Sequence, residues 1–253
     1  MPDIVVTFFV LGLIAGLVRS NLTIPKATYD TLSLLLMLTI GLKGGMALNG
    51  SLHWSLAGEL LAVAALGGFI ALGLIPVLRR VVGLSIADSA SIAAHYGSVS
   101  AGTFAVALAY VDSHNLTLGA EITLYLVMME LPAIMIGIAL FRRMRGDAGS
   151  LRGLWHETLT NRGVILLAGG VVIGAMYGPQ EGAAVTDLLT GAFHVVLALF
   201  LLEMGLTAAE TLRPLPWKHW RLLSFAIIAP PFWPFSVYSP GGCWGCPRAR
   251  YWS

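Results

Sequence analysis

The chain has 253 residues, of which 57% are hydrophobic and 11% charged, with a formal net charge of +2 and a mean hydropathy of +0.81. A soluble domain carries about 25% charged residues, so this composition excludes an ordinary water-facing surface and fits lipid as the solvent. A charge this small gives no basis for nucleic-acid binding. Both cysteines, Cys243 and Cys246, fall near the end, which rules out a disulfide framework through the body of the chain.

Apolar segments follow one another along the chain, separated by short polar loops. The first, 4–18, is preceded by Asp3 and no basic residue, so it reads as a retained membrane segment and not as a cleaved signal. The second spans 29–47 and carries Lys43. The third spans 57–78. The fourth, 86–110, opens on Ser85 and Asp88 at capping-box spacing. The fifth, 122–141, holds Glu130 and Pro132. A polar, basic connection at 143–162 reads as a cytoplasmic linker. The sixth and seventh lie at 163–178 and 186–208, and a further start is visible from Leu222.

Charge gives these segments an orientation. Taking alternate loops, one side holds twelve basic residues, from Arg19 and Lys26 through Arg79, Arg80 and the 142–162 connection to Arg221, while loops 48–56, 111–121 and 179–185 hold none. Cytoplasmic loops collect Lys and Arg. The N-terminus is therefore expected outside and the 142–162 connection inside.

Two stretches repeat. MLTIGLKGGMALNG (37–50) aligns without gaps on LLEMGLTAAETLRP (201–214), pairing Gly41 with Gly205. Gly12 and Gly16 recur as Gly170 and Gly174 in the same order. The first half has five spans, and an odd count forces the second half to enter the membrane the other way up. The expected fold is therefore an all-α polytopic membrane protein of inverted five-span repeats, a plan common among secondary transporters. The expected divisions are 1–142, 143–162, 163–228 and an aberrant tail at 229–253. Gly-x-x-x-Gly spacing also serves close helix packing without any repeat.

The fourth segment contains the chemistry. Gly97-Ser98-Val99-Ser100-Ala101-Gly102-Thr103 is small and polar, and sits at the segment's middle. Glycine weakens a helix by about 1 kcal/mol relative to alanine, and unwound backbone survives in a membrane only where it is buried or lines a cavity. A break here frees backbone groups at the midplane, where half-helix N-termini face anions while carbonyls and hydroxyls suit Na⁺. The other reading is a close helix crossing built on small residues. Glu130 is the second candidate, since an acid at mid-membrane depth is costly and marks function by default. Glu203 is a weaker case of the same kind, and His95 and Tyr96 read as packing residues. A serine hydrolase is a different-class alternative, because Ser98 to Gly102 approaches a nucleophile elbow, but its first glycine is Ser and no base accompanies it. A non-catalytic membrane scaffold is another.

IGLKGGMAL (40–48), GSVSAGTFAVAL (97–108), YLVMMELPAI (125–134) and LEMGLTAAETLR (202–213) resemble, in order and spacing, the SbtA-like family of sodium-dependent bicarbonate permeases. The resemblance covers about 1–228. It implies ten spans in two inverted repeats, a homotrimer, and bicarbonate uptake coupled to Na⁺ at a site between two broken helices. It further implies Gly97, Ser98, Ser100, Gly102, Thr103 and Glu130 at the substrate and ion site, with Ser100 and Thr103 on Na⁺. A PII-like cytoplasmic regulator accompanies some members. Another sodium- or proton-coupled anion carrier of the same plan is the alternative. By the 164-residue offset the second broken helix would fall beyond residue 221. The stretch after Ile228, rich in Pro and Trp and holding both cysteines, reads as a frameshifted or truncated end, so the chain is expected to be an inactive fragment.

Overall fold

The computed structural model describes residues 4–50, 54–119, 121–144, 150–212 and 220–237, and these contain helices and no strand. The helices are α1 (Ile4–Leu17), α2 (Lys26–Leu48), α3 (Ser55–Val77), α4 (Ile86–Gly97), α5 (Ala101–Ser113) and α6 (Ile122–Met144). They continue with α7 (Leu151–Leu159), α8 (Arg162–Glu181), α9 (Ala183–Gly191), α10 (Phe193–Thr211) and α11 (Trp220–Val237). A π turn, Leu78–Val82, extends α3 and ends at Gly83, whose φ of 82° is the left-handed conformation glycine tolerates. Among the described residues, six stretches are long and apolar enough to cross a membrane: α2, α3 with its π turn, α4 with α5, α6, α8 and α10. The chain is thus an all-α polytopic membrane protein. α1 is shorter, at 14 residues.

Residues 1–212 form one compact unit, and α11 belongs to a second. Within the first unit, α1 packs chiefly on α10, and α2 on α8. Glycine makes both crossings possible. A Cβ at Gly12 would overlap the Leu202 carbonyl, and one at Gly16 would strike Ala209. A Cβ at Gly41 would meet Leu167 and Gly170, and one at Gly45 would meet Val171 and Gly174. Numbers rise together across each crossing, so α1 runs parallel to α10, and α2 parallel to α8. Between α2 and α10 the order reverses: Tyr29 stacks on Phe200 at 5.4 Å, while Lys43 Nζ lies 4.8 Å from the Phe193 ring centre. These two are antiparallel, and α1 and α8 therefore run in opposite directions.

A second group, α3, α4 and α6, packs within itself. Gly67 of α3 and Gly97 at the end of α4 face each other, with Ala71 beside them, and a Cβ on either would crowd the other's carbonyl. α5 bridges to the first group. Its Ala105, Leu108 and Ala109 join Leu36 and Ile40 of α2, Leu167 of α8 and Leu197 of α10 in one buried cluster.

Two expectations differ from the structure. The 143–162 connection is not a plain linker, since 151–159 is helical. Ser150 caps it by accepting the Gly153 N–H at 3.2 Å, and Arg142 holds Glu157 at 2.6 Å. The seventh segment begins earlier, as α9, and is interrupted at Ala192 before α10. In the second unit, α11 carries helical backbone past Ile228 as far as Val237; residues 238–253 of the expected aberrant tail lie outside the described residues.

Candidate functional site

The fourth segment is broken where its sequence is weakest. Ser85 starts α4: its Oγ accepts the Asp88 N–H at 3.1 Å and donates to the Asp88 carboxylate at 2.6 Å. The helix stops at Gly97. Ser98 is extended (φ −101°, ψ 167°), and its hydroxyl donates back to the His95 carbonyl at 3.3 Å. Ser100, also extended, is the N-cap of α5 and accepts the Thr103 N–H at 3.4 Å. Two half-helices of 12 and 13 residues thus meet at the middle of one span.

The break opens onto a cavity of about 420 Å³. Its walls come from both helix groups. α2 supplies Tyr29, Ser33 and Met37, and α10 supplies Phe200. α4 supplies His95, and α6 supplies Glu130. The break itself contributes Ser98 to Gly102, and Asn161 closes the end at the start of α8. Gly102 faces the Phe200 ring, and a Cβ there would lie 2.8 Å from ring carbon Cε1.

Backbone charge is divided across this cavity. The first N–H groups of a helix have no intrahelical acceptor and carry partial positive charge. At α5 the Thr103 N–H is taken by Ser100, and those of Ala101 and Gly102 have no acceptor among the described residues. The last carbonyls of α4 carry the opposite sign. Glu130 faces the same space. Its Oε2 is buried with no hydrogen-bond partner among the described residues, and its Oε1 approaches Gly163 in the first turn of α8, where a Cβ would lie 3.5 Å away. Neither Lys nor Arg lines the cavity.

The chain matches the Na⁺-dependent bicarbonate transporter superfamily over residues 4–244, which takes in the break, Glu130 and both glycine crossings. The chain belongs to that superfamily. The match runs past residue 228, the end of the stretch over which the resemblance was read. No curated protein matches the chain. A transporter superfamily with six apolar helices makes this a multi-pass membrane protein of a transport family rather than of an enzyme family.

In this superfamily member four of the six expected site residues line the cavity: Ser98, Ser100, Gly102 and Glu130. Gly97 and Thr103 do not. Gly97 is buried against α3, and the Thr103 side chain lies one turn into α5, exposed. Glu203 also lies apart; the Thr207 hydroxyl donates to it at 3.5 Å along α10. His95 does line the cavity, with Nδ1 2.8 Å from the Ser91 carbonyl. Sequence reasoning missed Tyr29, Ser33 and Asn161. Tyr29, Ser33 and Met37 recur every four residues, a helix face that could have been read. Asn161, directly before an apolar run, is a helix-start signal, and its Oδ1 accepts the Gly163 N–H at 2.9 Å.

Proposed function

We propose that the cavity at the α4–α5 break binds bicarbonate together with Na⁺, the binding step of Na⁺-dependent bicarbonate uptake. One observation carries this reading: a helix broken at mid-span opens both its ends onto a cavity that has one carboxyl group and no Lys or Arg. An anion there is met by the N–H groups of Ala101 and Gly102 and by the Ser98 and Ser100 hydroxyls. The cation that balances it is met by α4 carbonyls, the same hydroxyls and Glu130. Hydroxyls both donate and accept, so Ser100 can serve either ion. Without a fixed cationic side chain, anion affinity depends on Na⁺ being present, which is what coupling requires.

The repeat reading finds support in the helix crossings. The pair α1 with α10 maps onto α8 with α2 under the offsets that relate Gly12 to Gly170 and Gly41 to Gly205, and α1 and α8 run in opposite directions. Those crossings interlock the two repeats through backbone-to-backbone contacts. A rocking motion of repeat against repeat would break the closest packing in the molecule. The cavity instead lies between the α1–α2–α8–α10 group and the α3–α4–α6 group, so alternating access here is a displacement of one group past the other. Orientation follows the basic residues: Arg79 and Arg80, Arg142 and Arg143, and Arg162 stand at helix ends that this directionality puts on one side, taken as the cytoplasmic side of a bacterial inner membrane.

The test is thermal unfolding of the purified chain with Na⁺ and bicarbonate, separately and together. A ligand at 100 times its Kd stabilises by about 2.7 kcal/mol. Bicarbonate is expected to stabilise the sodium form and not the potassium form. Equal stabilisation in both salts refutes the coupling. H⁺ coupling is the second reading, favoured by the unpartnered Glu130 oxygen; under it bicarbonate stabilises without Na⁺, and the effect follows pH.

A further inference from the structure

Helix α7 has an outward face of the wrong character for water. It is nine residues long, capped by Ser150 and tied to the end of α6 by Arg142 and Glu157, whose charged atoms are 2.6 Å apart. Thr158 is fully buried and marks the side turned to the protein. Beside it, Leu151, Trp155 and Leu159 recur every four residues and form one stripe. They are 74%, 47% and 51% exposed. The strip after that is polar, with Arg152 and His156 exposed. A helix that faces water places polar groups on all its exposed surface; this one leaves a tryptophan and two leucines exposed on the flank between the buried side and the polar one.

Two further observations say what covers the stripe. Exposed apolar residues also stand at the end of the membrane-crossing α6, on which α7 packs: Phe141 and Met144 are 52% and 45% exposed. The connection from 142 to 162 carries five arginines against Asp147 and Glu157. Arg143 and Arg152 are exposed and have no carboxylate partner among the described residues. Amphipathic helices with tryptophan and leucine on one face and basic residues on the other lie in the membrane interface and favour anionic lipid. We propose that α7 lies in the membrane–water interface, with Leu151, Trp155 and Leu159 in the acyl boundary and Arg143 and Arg152 on anionic lipid headgroups.

The experiment uses the full chain with Cys243→Ser and Cys246→Ser, in nanodiscs of phosphatidylcholine alone or of phosphatidylcholine and phosphatidylglycerol at about three to one. Single cysteines at Leu151, Trp155, Leu159, Arg152 and His156 carry a nitroxide. Collisions with oxygen report lipid, and collisions with a neutral nickel chelate report water. Labels at 151, 155 and 159 are expected to favour oxygen severalfold over those at 152 and 156. The contrast is expected to grow with phosphatidylglycerol and to shrink when Arg143→Gln and Arg152→Gln are combined and the label is read at 155. Three separate label positions on the stripe guard against one variant that fails to fold. Nickel access at 155 and 159 equal to that at 156 overturns the proposal, as does an identical pattern in the two lipids. Labels at 151, 155 and 159 screened from both reagents show a protein surface on the stripe and overturn it too.

Discussion

Lys43 Nζ lies 2.6 Å from Asp112 Oδ2, joining α2 to the far end of α5, the second half of the broken helix. The lysine also lies over the Phe193 ring, so one cation from α2 contacts both α5 and α10. The two side chains are 27% and 41% exposed. Pairs this open to solvent contribute about 0.2–1 kcal/mol and weaken with salt. A double-mutant cycle of Lys43→Met and Asp112→Asn, read by thermal unfolding, is expected to give a coupling of about 1 kcal/mol or less at 0.1 M salt that falls further at 1 M. A coupling of several kcal/mol that ignores salt would make the pair a buried structural element.

The glycine crossings predict a sharp division among glycines. Gly45 meets backbone of α8 on every side that a Cβ would occupy, whereas Gly73 has nothing within 4 Å. Overpacking of a closed contact costs about 1–3 kcal/mol. Gly45→Val is expected to lower the unfolding temperature by that equivalent or to prevent assembly. Gly73→Ala is expected to be neutral or to stabilise by up to about 1 kcal/mol, from helix propensity. Unfolding midpoints for the two variants, compared with the parent chain, decide the matter.

The course of the chain was legible where one principle dominated. Hydropathy located the apolar helices from α2 to α10. The polar patch at 97–103 was read as a break, and α4 and α5 meet there. The 151–159 helix was illegible from hydropathy because it is too short and mixed to read as a span; its cap at Ser150 and its pair to Arg142 are tertiary facts. The cavity was half legible. Small polar residues and a buried acid announce themselves in a greasy chain, whereas Tyr29 and Phe200 do not. Aromatic residues are ordinary in apolar helices, and they become site walls only when α2 and α10 bring them together.

Gly102 and Phe200 offer a test of the site itself. The ring sits where a side chain at 102 would project, 2.8 Å from a Cβ. Gly102→Ala pushes the ring into the cavity without altering any charge. Bicarbonate-dependent stabilisation in Na⁺ is expected to fall at least tenfold in apparent affinity, about 1.4 kcal/mol. Shortening the ring in Gly102→Ala with Phe200→Leu is expected to restore most of it. If the double variant binds no better than the single one, the loss came from the backbone of α5 and not from the filled cavity.

Glu130 separates the cost of a group from its use. Its Oε2 is buried without a partner, and the first turn of α8 beside Gly163 is the one favourable influence on the carboxylate that the geometry shows. Charge removed from water without full compensation costs several kcal/mol. A residue kept only for stability would therefore be better as glutamine. Glu130→Gln has nearly the same shape and removes the charge, so the unliganded protein is expected to unfold at the same temperature or higher. The Na⁺-dependent bicarbonate shift is expected to disappear, because under the proposed function the cation loses the one carboxyl group that lines the cavity among the described residues. Thermal unfolding with and without ligands reads both effects from one sample. A drop in basal stability with the ligand shift intact would make Glu130 structural and place the cation on the hydroxyls and α4 carbonyls of the break.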